Sequence, residues 1–147
     1  MRNPSEAAVR RLRAVVLTTL VALVAEFVLG MIANLYAQFP NTTTNGDAWN
    51  WSMSHSPVVR SRVILGAALV LLALTAIVLS IVVRRASGIV YSCLGFALIL
   101  SAWQAGVAFL THGQQNGSSL GMAIGFIGAA VVYVLAYDRV RNSVKLS

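Results

Sequence analysis

The chain has 147 residues, of which 58% are apolar and 10% charged, and its net charge is +7. A water-soluble globular chain carries about 25% charged residues, so this one has too little charge to cover a water-facing surface, and its length suits one domain. The charge comes from ten arginines and one lysine; they sit at the ends of apolar runs, which suits a membrane-flanking role better than a nucleic-acid partner.

Residues 1–13 form a basic, amphipathic lead-in with Arg2, Arg10, Arg11 and Arg13. The first apolar run, Ala14 to Ala37, is about twice the length of a signal-peptide core. It ends in Leu35-Tyr36-Ala37, whose bulky residue spoils a small-x-small cleavage site. It is therefore expected to stay as a spanning helix. Within it, Glu26, Gly30 and Asn34 follow at steps of four and share one stripe. Glu26 lies about 18 Å along the helix from Ala14, close to a bilayer midplane. A charge there costs roughly 2.5–3.5 kcal/mol on insertion scales, so the stripe should face protein.

Residues 38–62 read as the longer of two outer loops, with turn signals at Pro40, Asn45-Gly46 and Pro57. Its Trp49 and Trp51 favour the headgroup level. The second run, Val63 to Val83, carries Gly66, Ala73 and Ser80 on one stripe. The link Arg84 to Ser87 is short, so the second and third helices form a tight hairpin. The third run, Gly88 to Thr111, has a small-residue face of Gly88, Ser92, Gly95, Ala102 and Gly106. Its opposite face holds Ala97, Ser101, Gln104 and Ala108. Residues 112–118 are a short outer loop containing His112. The fourth run, Ser119 to Tyr137, places Gly121, Gly125, Gly128 and Ala136 on one stripe before a tail with Arg139, Arg141 and Lys145.

Each run has the length a helix needs to cross about 30 Å of hydrocarbon. None alternates as a barrel strand would. The expectation is an all-α membrane protein, an antiparallel bundle of four transmembrane helices. Nine of the eleven basic residues fall in the lead-in, the link and the tail. The positive-inside rule then puts both termini in the cytoplasm and the chain in the cell's inner (plasma) membrane.

Lipid offers no partner to a carboxyl or an amide. Glu26, Asn34 and Gln104 are therefore expected to converge as a polar seam between the first and third helices. Gly30, Gly66, Gly95, Gly106, Gly121, Gly125 and Gly128 are expected to permit close helix contact. Arg62, on the side where positive charge is scarce, and His112 form a candidate outer-face anion site. The single cysteine, Cys93, has no disulfide or metal-ligand companion. No nucleophile motif, phosphate loop or metal-ligand cluster is present. No enzymatic activity and no cofactor are expected.

Two stretches carry a resemblance: Gly30-Met-Ile-Ala-Asn34-Leu-Tyr36 leading to Pro40, and Phe109-Leu-Thr-His112-Gly leading through Ser119 to Met122-Ala-Ile-Gly-Phe126. They resemble a family of small four-helix bacterial membrane proteins of unassigned activity. That family's histidine, four residues before the glycine of the second helix, is Arg62 here; with His55 and His112 both in outer loops, the departure counts against a pair of histidines clamping a haem. More loosely, one embedded acid in the first of four helices is similar to the small multidrug-resistance transporters, onto which only Glu26 could be carried. Two functions are thus expected. The first is an accessory or assembly component acting through helix contacts, within a homo-oligomer or larger membrane complex. The second is a dimeric proton-coupled small-molecule transporter with Glu26 as proton carrier.

Overall fold

The computed structural model describes residues 4–36, 50, 53–84, 86–111 and 116–144. They form four long helices: α1 (Pro4–Tyr36), α2 (Pro57–Val82), α3 (Ala86–Thr111) and α4 (Asn116–Val144). No strand occurs among the described residues. All four helices are long and apolar enough to cross a membrane. At 1.5 Å per residue even the shortest extends roughly 39 Å.

The helices run past the apolar stretches that announce them. α1 begins at Pro4 rather than Ala14, so Arg10, Arg11 and Arg13 belong to the helix. Proline suits a first helical turn because its missing N–H would be unpaired there anyway. α2 begins at Pro57, not at Val63. Ser56 caps it in extended geometry (φ −112°, ψ 101°), its hydroxyl accepting from the Val59 N–H at 3.4 Å. The α2–α3 link closes tightly. Arg84 takes a left-handed φ of 55°, and the N–H groups of Val83 and Arg84 donate to Leu79 and Ile81.

Each helix turns one narrow stripe inward, spaced alternately by three and four residues as in left-handed helix packing. On α1 the stripe is Leu12, Val16, Thr19, Leu23, Glu26 and Ala33. On α2 it is Val59, Gly66, Leu69, Ala73, Ala76 and Ser80, with Arg62 in the same register. α3 buries Ser92, Gly95, Ile99 and Ala102, and α4 buries Gly125, Ala129, Val132, Ala136 and Val140. Many inward residues are small, while large apolar side chains such as Val21, Leu71, Val90 and Leu120 are more than 60% exposed. That is the reverse of the distribution water imposes on a soluble core.

Contacts run α1 to α2, α2 to α3, α3 to α4 and α4 back to α1. The helices therefore close a cycle in which α1 and α3 lie across a diagonal and make no contact among the described residues. The α3–α4 seam is the most extensive contact. There a Cβ on Gly125 would come within 2.8 Å of the Ala102 methyl and 3.1 Å of the Leu98 carbonyl. A Cβ on Gly121 would stand 3.4 Å from Ala105, and one on Gly128 or Gly106 would stand 3.3 Å from Leu98 or the Met122 sulfur. Gly95 accepts the ring of Tyr133. Ser80 and Ser92 share a buried hydrogen bond of 3.0 Å between α2 and α3. The cycle closes where the Arg13 guanidinium donates to the Tyr137 hydroxyl at 2.9 and 3.2 Å.

Candidate functional site: a buried ion pair in a four-helix cavity

A position near the end of α1's stripe bears a carboxyl group. Glu26 is 4% exposed, the most polar residue of a stripe otherwise made of Leu, Val, Thr and Ala. Burying a carboxylate without a counter-charge costs several kcal/mol. The counter-charge comes from α2, where the Arg62 Nε–H donates to Glu26 Oε1 at 3.1 Å.

Three local features bring them together. The Ser56 cap starts α2 early enough for Arg62 to be helical, one turn above Gly66 on the buried stripe. Gly30, one turn beyond Glu26 on α1, clears the space the guanidinium fills; a Cβ there would stand 3.2 Å from Arg62 Nη2. Met122 on α4 meets the same nitrogen, with Nη2 to Sδ at 3.9 Å. Three helices thus fix one side chain.

The pairing leaves capacity on both partners. A carboxylate accepts through two oxygens and a guanidinium presents five N–H donors. Glu26 uses Oε1; its Oε2 is buried and makes no hydrogen bond to any described residue. Arg62 engages Nε with the carboxylate and Nη2 with a sulfur, a weak acceptor. Three guanidinium N–H donors are left over among the described residues. The contact is single, not the two-pronged arrangement in which both oxygens and two nitrogens would be used.

Both residues line a cavity of about 270 Å³ walled by all four helices. It runs from Glu26 toward Val59 in the first turn of α2, Phe109 near the end of α3 and Ser119 in the first turn of α4. Apart from Glu26, Arg62 and Ser119 its walls are apolar, with Phe27, Trp103, Phe109 and Phe126 contributing rings. Gly66 admits the Trp103 ring from α3, since a Cβ would approach its Cζ3 to 2.6 Å. Such a site, concave, mainly apolar and with a few convergent polar groups, is the usual form of a small-molecule pocket.

The polar seam expected between the first and third helices is corrected by this geometry. Gln104 is exposed, as are Ala97 and Ser101 on the same face of α3. The buried face of α3 runs through Ser92, Gly95, Ile99 and Ala102, which turns position 104 outward. Because α1 and α3 sit diagonally, Glu26 meets its partner on α2 instead. The side chain of Asn34, and all of His112, Trp49 and Trp51, lie outside the described residues. Arg62, expected as an outer-loop anion site, is a helical residue already engaged by an acid. The signal that would have placed it was Ser56-Pro57, a cap residue followed by proline at the first helical position. Among the described residues no group of three His, Cys, Asp or Glu side chains converges as a metal site would require.

Comparison with known protein families, with curated proteins and with solved structures returned no match.

Proposed function

We propose that this chain is a multi-pass inner-membrane protein, an antiparallel bundle of four transmembrane helices with both termini cytoplasmic, that binds a small molecule within the bilayer beside Glu26 and Arg62. The observation that carries this reading is the ion pair standing in the wall of a cavity with bonding capacity unspent. An ion pair that served packing alone would gain from a two-pronged contact and a filled surround. The outward-facing Val, Leu and Ile side chains support the membrane setting, since water would drive them inward. The clustering of Arg10, Arg11 and Arg13 with Arg84 and Arg141 on alternate connections supports the orientation.

The test uses Trp103, whose ring borders the cavity. In a Trp49→Phe/Trp51→Phe background, Trp103 is the sole tryptophan. Bromobenzene, an apolar heavy-atom quencher, should quench it saturably. Ala123→Phe, which fills the cavity from α4, should abolish the saturable component. Linear quenching, equal in both proteins, refutes the reading.

A second reading is the accessory or assembly component, and one observation favours it. The Ala97-Ser101-Gln104 face of α3 is exposed, and in lipid an outward amide gains from a protein partner. Against it, the packing glycines of α3 and α4 are already occupied within the chain, each against a residue of the other helix. Proton-coupled transport would use the same cavity as the leading reading. Liposomes in which Glu26→Gln moves substrate and protons as well as the wild type would exclude Glu26 as the carrier.

A further inference from the structure

Resting on the reading of the cavity as a ligand site, we propose that its ligand is an uncharged phenol, one hydroxyl on an aromatic ring.

Charge is the first criterion. Glu26 and Arg62 neutralise one another at 3.1 Å, so the site has no net charge to offer. An ionised ligand would have to leave water for an apolar cavity with its charge uncompensated, at a cost of several kcal/mol. A neutral ligand avoids that cost.

Hydrogen bonding is the second. Among the described residues Glu26 Oε2 is an acceptor without a donor, and it belongs to a side chain that is 95% buried. Beside it, Arg62 retains N–H donors that lack an oxygen acceptor among those residues. The ligand must therefore donate to one neighbour and accept from the other. A single hydroxyl does both: its proton goes to Oε2 and its lone pairs accept from the guanidinium. An ether or ketone accepts only and leaves the carboxylate oxygen unpartnered. A phenol is also a better donor to a carboxylate than an aliphatic alcohol, because its hydroxyl is the more acidic.

The third is the shape of the apolar remainder. Phe27, Trp103 and Phe126 border the cavity together with Met31 and Met122. Rings pack on rings edge-to-face or offset, and thioethers favour ring edges. A flat aromatic body gains from both.

The same head could come from a free phenol or from one carried on a lipid-soluble tail, so both are assayed. Displacement of bromobenzene from the Trp103 protein is measured with 4-ethylphenol, 4-decylphenol, 4-ethylanisole, 4-ethylbenzoate and hexanol. The phenol should displace the quencher roughly ten-fold more tightly than its methyl ether, because losing a bond to a charged acceptor costs that much or more. Because the ether partitions more strongly into detergent, free ligand concentrations are measured by equilibrium dialysis and used for the comparison. Ethylbenzoate and hexanol should be the weaker competitors. Displacement by 4-ethylphenol would identify a free phenol as sufficient, and displacement by 4-decylphenol alone would identify a tailed one. The double variant Glu26→Leu/Arg62→Met removes the pair without stranding a charge; it should keep bromobenzene quenching and lose the preference for phenol over ether. Equal displacement by phenol and ether, tighter displacement by ethylbenzoate, or hexanol matching ethylphenol overturns the proposal. In each of those cases saturable bromobenzene quenching would leave the cavity reading standing, whereas its absence would remove that reading first.

Discussion

Removing the positive half of the buried pair should cost more than removing the negative half. Arg62→Met keeps the length and apolar stem of the side chain and deletes its charge. Glu26 is then left with 5% of its side chain exposed and no described neighbour to donate to it. Breaking a buried pair from one side costs about 3–5 kcal/mol. In the proposed membrane setting the reference state is a helix already in the bilayer, which brings the expected loss to the lower end, about 3 kcal/mol. Glu26→Leu strands Arg62 instead, but that side chain is 22% exposed and can extend its head toward the helix ends. Its loss should be about 1–2 kcal/mol. The double variant Glu26→Leu/Arg62→Met should lie within about 1 kcal/mol of the wild type, giving a coupling of about 3 kcal/mol or more. Reversible unfolding in mixed micelles, titrated with a denaturing detergent and followed by circular dichroism, measures all four corners of the cycle. A coupling near zero, or Arg62→Met losing less than Glu26→Leu, would refute both the pairing and the assignment of burial.

Three further outcomes follow from geometry away from the pair. Gly125→Ala should destabilise by about 1–3 kcal/mol, because its Cβ would meet the backbone of Ala102 and Leu98 at 3.1 Å. Gly121→Ala, whose Cβ would sit 3.4 Å from Ala105 Cβ, should change stability by less than about 0.5 kcal/mol in the same assay. Ser56→Ala removes the α2 cap and should cost about 1 kcal/mol; hydrogen exchange should rise in the first turn of α2 and not at its far end. Reporter fusions after Ser147 or within Arg84 to Ser87 should read cytoplasmic and one at Asn45 external, and an external Arg84 link would overturn the proposed orientation.

The four helices were legible in the sequence because apolar runs of that length have few other folds available. The glycines stood out for a related reason: spaced by three, four or seven on one stripe, they mark where a neighbouring helix fits closely, against backbone at Gly125 and against rings at Gly66 and Gly95. The ends of the helices were harder to read. Charged turns such as Arg10 to Arg13 break an apolar run without breaking a helix, so hydropathy cut α1 and α2 short. That error moved Arg62 out of its helix and hid the partner of Glu26. The choice of Gln104 had a different origin. Depth along a helix can be counted from sequence, but which helices become neighbours cannot, and the cyclic arrangement put α1 and α3 on a diagonal. Position 104 also lay off the small-residue stripe of its own helix, a sign that it turned away.

The ion pair joins residues 36 positions apart in the chain, and that separation matters during synthesis. At translation rates of about 5–20 residues per second, Arg62 follows Glu26 by roughly 2–7 s. For that interval the acid has been made and its counter-charge has not. In the proposed membrane setting, α1 gains most by waiting near the insertion machinery until α2 emerges, so that the two helices leave for the lipid as a hairpin with the charge already matched. The contact between Arg13 and Tyr137 spans 124 positions and forms last, when α4 closes the cycle over a cavity whose polar end was assembled by the first two helices.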